Sequence, residues 1–351
     1  MRKTYQPNYE LNHQILFYLN EISRKQGEIL GWQRTHDADI KIESLANIDA
    51  VHYSTKIEGN QLTIHQVTKA LTTDKHKLKT TRDLKEILSY SKARKILVSK
   101  ANKQQKITIK LILEIHAMLM QGIVSGQLKG FLREAQNVIR DSKTNGIVYM
   151  PPLASDVNSL MRDLVDWLRV AALENINSLI VAAVFHYRFV TIHPFMDGNG
   201  RLARLFSNYI LSLNDYDVGK YAALEKQHEK NRSLYYKLLR ASQAHNFYDI
   251  PEDVNLTKWI EYILDCLNKT YDEAIVRMTD QNSMTSEHVD LAARQRKALS
   301  LFNKYKSLKA ADYEALMGIG RTQAVSDLNH LLESGYIKKV GGGRSTVYKK
   351  V

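Results

Sequence analysis

A mainly helical protein of more than one domain is predicted by three features of this sequence. Only five prolines interrupt 351 residues, so long helices can run without losing backbone donors. Apolar residues recur at three- and four-residue intervals in segment after segment, as helices burying one face require. Paired β-prone runs flank a turn at two places, one central and one near the C-terminus.

The elements follow in chain order. Ile109, Ile112, Leu113, His116, Leu119 and Met120 keep helical spacing, and so do Val157, Leu160, Met161, Leu164, Trp167 and Leu168. Between them, Asn137 to Pro152 holds two β-prone runs about Asn145-Gly146, a dipeptide suited to a tight hairpin turn. Such a hairpin either caps a helical bundle or offers an edge to which an extended segment of another protein can pair. Ser178 to Thr191 is apolar nearly all round, which predicts a central buried helix. His186 on that helix is read as a packed core residue, since no second ligand has metal-site spacing. Asn231 to Gln243 is amphipathic and carries Tyr235 and Tyr236, which packing alone would explain. A single cysteine, Cys266, excludes an intrachain disulfide. The first twenty residues include Asn8, Glu10 and Gln14 where a signal peptide needs an apolar core, and no uncharged stretch reaches membrane-spanning length. A cytoplasmic protein with no membrane partner is expected.

The densest chemistry lies in His193-Pro-Phe-Met-Asp-Gly-Asn-Gly-Arg-Leu-Ala-Arg204. Gly198 and Gly200 permit positive φ and leave no Cβ over a concavity of backbone N–H groups. A helix opening near Arg201 would add its N-terminal amides to the same anion site. Arg201 and Arg204, three apart, can share a face and fork onto phosphate oxygens. Asp197, the lone acid in this stretch, suits a divalent cation between phosphates. His193 titrates near neutral pH and is the natural proton acceptor. Gly198 to Ala203 also fits the dinucleotide fingerprint Gly-x-Gly-x-x-Ala, but the strand-helix alternation that this fingerprint requires is missing.

The string resembles the signature of Fic (Fido-fold) proteins, His-Pro-Phe-x-Asp-Gly-Asn-Gly-Arg-x-x-Arg, at every specified position. The likeness should extend over roughly residues 105 to 250. It implies a helical bundle with one β-hairpin, the flap, and transfer of AMP from ATP to a protein hydroxyl. By position, it implies that His193 deprotonates the hydroxyl and that Asp197 holds Mg2+ between the α and β phosphates. Asn199, Arg201 and the loop amides of Phe195, Gly198 and Gly200 would cradle phosphates, with Arg204 on the γ-phosphate. Tyr235 and Tyr236 would contact the nucleotide, and Gln243 stands where relatives carry an asparagine. The hairpin would present the target's hydroxyl-bearing segment. Members of the same fold that remove AMP or transfer another phosphate-containing group are the alternative.

A second motif lies upstream, in Ser54-Thr-Lys-Ile-Glu58-Gly59-Asn60. Ser54 and Glu58 share a helical face, and Gly59 can end the helix in a left-handed cap. Glu58 would then sit at the negative end of the helix dipole, a penalty that a cation relieves; otherwise it is an ordinary solvated glutamate. The string is similar to the inhibitory motif of autoinhibited Fic proteins. That likeness implies that Glu58 pairs with Arg204 and keeps ATP in an unproductive pose.

From about Val289 the texture changes. Leu291–Phe302, Ala310–Met317 and Thr322–Glu333 read as helices, with Gly318-Ile-Gly320 as the turn between the last two. Tyr336–Val340 and Thr346–Val351 form a β-prone pair about Gly341-Gly-Gly-Arg344, so the tail resembles a winged helix-turn-helix. It holds 12 Lys or Arg against 5 Asp or Glu, more than half of the chain's net charge of +13. Thr322, Gln323, Ser326 and Asn329 would face base edges, with Lys338, Lys339 and Arg344 on phosphates. Asp327 and Glu333 on the same helix oppose DNA, and the module serves equally for dimerisation or target docking. The domains expected are a regulatory region over 1–104, a Fic core over 105–250, a linker helix over 251–288 and the winged helix over 289–351. Expected partners are Mg-ATP, a protein bearing a Ser, Thr or Tyr hydroxyl (this chain included), DNA, and a second copy of the chain. A DNA-binding regulator whose Fic core senses nucleotide is the rival reading.

Overall fold

The computed structural model describes residues 5–32, 36–72, 81–124, 126–141, 144–305, 307–333, 337–341 and 346–350. Thirteen α-helices and two strand pairs make up these residues, in two compact units, 1–278 and 279–351.

In the first unit, α1 (His13–Gly31), α2 (His36–Ile57), α3 (Ile64–Thr72) and α4 (Arg82–Ala101) precede α5 (Ile109–Leu119). Threonine side chains start two of them: Thr81 accepts the Leu84 N–H at 3.2 Å and Thr108 the Leu111 N–H at 3.1 Å. The hairpin follows, β1 (Ile139–Arg140) pairing antiparallel with β2 (Ile147–Tyr149), Ile139 opposite Tyr149. Asn145 takes a φ of 56°, the left-handed conformation that an Asn-Gly turn supplies. The Tyr149 hydroxyl donates to the Thr191 carbonyl at 2.8 Å, which pins the hairpin to the end of α7.

Helix α6 (Ala154–Leu173) packs its apolar face on α7 (Ser178–Ile192), and α8 (Asn199–Ser212) packs on α7 as well. Thirteen of the fifteen residues of α7 are buried, as expected of a helix that is apolar all round. Helix α9 (Leu224–Lys230) packs on α2, and α10 (Arg232–Ala241) packs against α9. His186 is a core residue, its Nε2 bonded to the Tyr235 hydroxyl at 2.9 Å.

The last long helix departs from expectation. The structure has one helix, α11 (Thr257–Lys304), where the sequence reading places a linker helix and a separate helix from Leu291. Neither glycine nor proline occurs within those 48 residues, so nothing in the chain stops helical propagation. Its first part is no linker: Trp259, Ile260, Ile263, Leu267 and Tyr271 are buried in the core of the first unit.

The second unit has its own core of Phe302, Leu308, Tyr313, Met317, Ala324, Leu328, Leu331, Ile337 and Tyr348. It contains α12 (Ala310–Met317), α13 (Arg321–Glu333) and the antiparallel pair β3 (Ile337–Val340) and β4 (Val347–Lys350). Thr322, Gln323, Ser326 and Asn329 are exposed, as are Lys338 and Lys339. Asp327 faces inward instead of outward. It is 3% exposed and accepts from Gln323 Nε2 at 2.8 Å and from the Tyr313 hydroxyl, so it places no charge on the outer face of α13. Arg344 lies outside the described residues. Among the described residues, no helix is long and apolar enough to cross a membrane.

Candidate active site

The site is built where α7 ends and α8 begins. His193 caps α7 in the left-handed conformation, with φ 51° and ψ 58°, and its N–H still donates to the Phe189 carbonyl at 3.0 Å. A side chain in that conformation is strained by about 1 kcal/mol, and the surroundings hold it there. Arg133, 3% exposed, donates its Nε to the His193 carbonyl at 2.9 Å and its backbone N–H to the Pro194 carbonyl at 2.9 Å. Its guanidinium also bonds the carbonyls of Ala135 and Pro152, so one buried arginine ties this loop to both ends of the hairpin.

The tautomer of His193 follows from its partner. Nδ1 lies 3.3 Å from the Val190 carbonyl, which can only accept, so Nδ1 carries the proton and Nε2 is bare. Burial pushes the imidazole down to about 4, with the Val190 hydrogen bond, Glu58 and Asp197 opposing that shift and Arg133 adding to it. The ring is therefore neutral at physiological pH, in the form that accepts a proton.

The loop beyond it is closed by side chains. Asn199 bonds the Phe195 N–H through Oδ1 at 3.0 Å and the Phe195 carbonyl through Nδ2 at 2.8 Å. Phe195 stacks on His116 with ring centroids 3.7 Å apart. His116 Nδ1 accepts the Gly130 N–H at 2.9 Å, so its Nε2 is the protonated nitrogen and donates to the Asp197 carbonyl at 3.2 Å. Gly198 caps α8 with a φ of 85°. The helix thus opens at Asn199, two residues before the expected start at Arg201. Gly200 is helical, so its lack of a Cβ serves close approach and not positive φ: a Cβ there would collide with Glu58 Oε1.

Arg204 is held by the upstream motif. Its Nε donates to Ser54 Oγ at 2.8 Å, and its Nη2 donates to the Ser54 carbonyl at 2.9 Å and to Glu58 Oε1 at 2.7 Å. The side chain is 1% exposed, against 32% for that of Glu58. Burial alone would push the Arg204 pKa down; Glu58, together with the neighbouring Tyr235 and Tyr90, raises it instead. Glu58 itself lies just past the end of α2, in the turn that Gly59 completes with a φ of 101°. Among the described residues Arg204 Nη1 has no hydrogen-bond partner, so one guanidinium nitrogen stays available.

Asp197 is not the lone acid of the assembled site, because Glu58 enters from the turn after α2 and Glu86 from α4. Its Oδ1 accepts from Arg201 Nη2 at 2.9 Å and its Oδ2 from Arg82 Nη2 at 3.2 Å. Arg201 therefore turns to Asp197 and, at 3.7 Å, to Glu86, while Arg204 turns to Ser54 and Glu58. Arg204 Nη1, Arg201 Nε and Arg201 Nη1, the last beyond hydrogen-bond reach of Glu86, are buried donors of these two arginines with no hydrogen bond among the described residues. Orphaned buried donors on both arginines fit an anion such as a nucleotide's phosphates. Among the described residues no cluster of three or more His, Cys, Asp or Glu could hold a metal. One partly exposed carboxylate is nonetheless what Mg2+ uses when phosphates and water complete its octahedron, so Asp197 fits that ion.

Tyr235 and Tyr236 separate. Tyr235 is 2% exposed behind Arg204 and bonds His186, whereas Tyr236 is half-buried beneath Arg232 and Arg240. Gln243 donates to Thr191 Oγ1 at 2.8 Å, near the end of α7. The sequence reading did not name Arg82, Glu86, Arg133 or His116 as site residues. His116 was legible only as part of an apolar helix face.

Comparison with known proteins agrees with this geometry. Residues 106–211 match the Fic/DOC family model, and residues 290–351 match the C-terminal domain of the DIP2311-like transcriptional regulators. A protein adenylyltransferase Fic of Drosophila willistoni is 28% identical over 263 residues, covering 72% of this chain and 47% of its own length. That of Drosophila grimshawi is 30% identical over 231 residues, covering 63% and 41%. The chain thus spans about half the length of the curated relatives it matches. Among solved structures, a Fic family protein from Desulfovibrio desulfuricans G20 superposes with a TM-score of 0.65 at 25% identity, covering 99% of this chain and 98% of that one. Residues 134–508 of Fic-1 from C. elegans share the fold, with a TM-score of 0.60 at 23% identity over 76% of this chain and 73% of that one. The matched span opens just before α5 and closes within α8, so it takes in the hairpin, His193 and Arg204, and the chain carries a Fic domain of the Fic/DOC family.

Proposed function

We propose that this chain is a protein adenylyltransferase that moves AMP from Mg-ATP to a protein Ser, Thr or Tyr hydroxyl and rests in an inhibited state. The observation that carries the proposal is the neutral His193, its Nε2 bare, beside a helix N-terminus flanked by two buried arginines with unfilled donors. Nε2 takes the proton of the attacking hydroxyl while its oxygen bonds the α-phosphorus and pyrophosphate leaves. The Val190 carbonyl and Arg133 keep the ring and its backbone in place, so little reorganisation is needed at the moment of transfer. Arg201, Asn199 and the loop amides bind the phosphates, and Arg204 takes the terminal one once Glu58 withdraws. Asp197 would hold Mg2+, which when bound neutralises phosphate charge. Names of relatives as protein adenylyltransferases support the reaction class. The hairpin's β1 edge supports a protein substrate, since an extended segment can pair there in almost any sequence.

Intact mass spectrometry of the chain after incubation with Mg-ATP tests this reading. Gain of one AMP on the chain, or on an added protein acceptor, is the expected result; release of AMP from a premodified acceptor without any gain points to the reverse activity.

For the C-terminal unit we propose DNA as a partner, supported by the net charge of +7 over residues 289–351, the exposed Thr322, Gln323, Ser326 and Asn329 of α13 and the buried Asp327. Gel shifts of the full chain on duplex DNA should show retardation at low salt that fades as salt rises. No retarded band at low salt sinks this assignment and leaves protein docking.

A further inference from the structure

The turn that carries Glu58 is fastened a second time, two residues on. Asn60 is 6% exposed and its amide is used on both sides. Nδ2 donates to Glu86 Oε2 at 3.1 Å and to the Asp83 carbonyl at 3.0 Å, while Oδ1 accepts the Leu62 N–H at 3.1 Å. Its backbone N–H closes onto the Thr55 carbonyl at 3.1 Å, and Gln61 N–H adds a bond to Asp83 Oδ2 at 3.1 Å. The other oxygen of Glu86 faces Arg82 Nε at 3.2 Å and Arg201 Nη1 at 3.7 Å. Arg82 and Arg201 in turn hold the two oxygens of Asp197. One buried carboxylate therefore stands between the turn bearing Glu58 and the side chains of the phosphate loop.

We propose that Asn60 is a positioning residue of the brake, its bond to Glu86 setting where Glu58 stands over Arg204. This rests on the reading of Glu58 as inhibitor. The residue type follows from the contacts: the side chain must donate to a carboxylate and accept a backbone N–H at once, which an amide does, an aspartate does only in part and an alanine not at all. Aspartate keeps the shape and the Leu62 contact, loses the donor and sets a second negative charge against Glu86. The turn then loses its anchor on α4, and Glu58 loses its fixed place.

Self-modification with labelled ATP, compared across the parent, Asn60→Asp, Glu58→Gly and the double variant, tests the proposal. With Glu58 present, Asn60→Asp should raise kcat by about tenfold, the scale of one hydrogen bond to a charged group. In the Glu58→Gly background it should change the rate by less than about twofold, because no brake is left to misplace. A purely structural role would lower activity and thermal midpoint in both backgrounds. The proposal is overturned if Glu58→Gly activates and Asn60→Asp does not, or if the double variant falls well below Glu58→Gly. Failure of Glu58→Gly to activate would instead overturn the inhibitory reading itself. Where the added carboxylate prevents folding, judged by the thermal midpoint, Asn60→Ala takes its place with the same two outcomes.

Discussion

Replacing Glu58 with glycine is expected to raise AMP transfer by between about tenfold and a hundredfold, and His193→Ala to remove it in either background. The range is the strength of a charge-assisted hydrogen bond to a buried group, about 1.5–3 kcal/mol, read as a rate. On the proposed reading, the 2.7 Å contact from Arg204 Nη2 to Glu58 Oε1 is what a bound nucleotide displaces. Arg204 then keeps its bonds to Ser54 and has a second nitrogen free for phosphate. Loss of a general base lowers rates by about 10²–10⁴, so a Glu58→Gly/His193→Ala double variant should be silent in a radiolabel assay. A Glu58→Gly protein no faster than its parent would sink the brake.

Acid should unfold the first unit early. Burial lowers His116 and His193 to about 4 and His228 to about 3, and it lowers His186 well below its ordinary value too. Each of these native values lies below the 6.5 of an unfolded chain, so the unfolded chain binds protons that the fold refuses. Their contribution to stability is whole above pH 6.5 and is lost as pH falls from there toward 4, at up to about 1.4 kcal/mol per unit for each. Burial raises the Glu225 carboxyl, and that one group opposes the trend. Thermal midpoints measured at half-unit steps from pH 7.5 to 4.5 should fall steeply below 6.5. A flat profile down to pH 5 would mean that these rings are charged or solvated in the native state.

The catalytic loop was legible because its chemistry is contiguous: twelve residues carry base, carboxylate, glycines and arginines in an order that local geometry alone brings together. The pairing of Glu58 with Arg204 spans 146 positions in sequence and followed from the two motifs, not from spacing. The supporting residues were not legible for the opposite reason. Arg82 and Glu86 on α4, His116 on α5 and Arg133 in an irregular segment meet only through tertiary packing, and none belongs to a pattern of its own. Asp197 looked alone because the acids that join it come from elsewhere in the chain. Asp327 looked outward because it is charged, although its spacing from Ala324, Leu328 and Leu331 puts it on the buried face of α13. The continuity of α11 was readable, since 48 residues without glycine or proline contain no stop signal, yet the change in composition near Val289 suggested a boundary.

Gly200 has a consequence for how such a protein can change over generations. The space that a side chain would fill there is the space that the carboxylate tip of Glu58 occupies, and that tip ends a flexible side chain. A mutation that enlarges residue 200 is therefore expected to push the Glu58 carboxylate off Arg204, the same outcome as a change at Glu58 itself. The contact between Glu58 and Arg204 can thus be loosened from the helix that receives it as well as from the turn that supplies it.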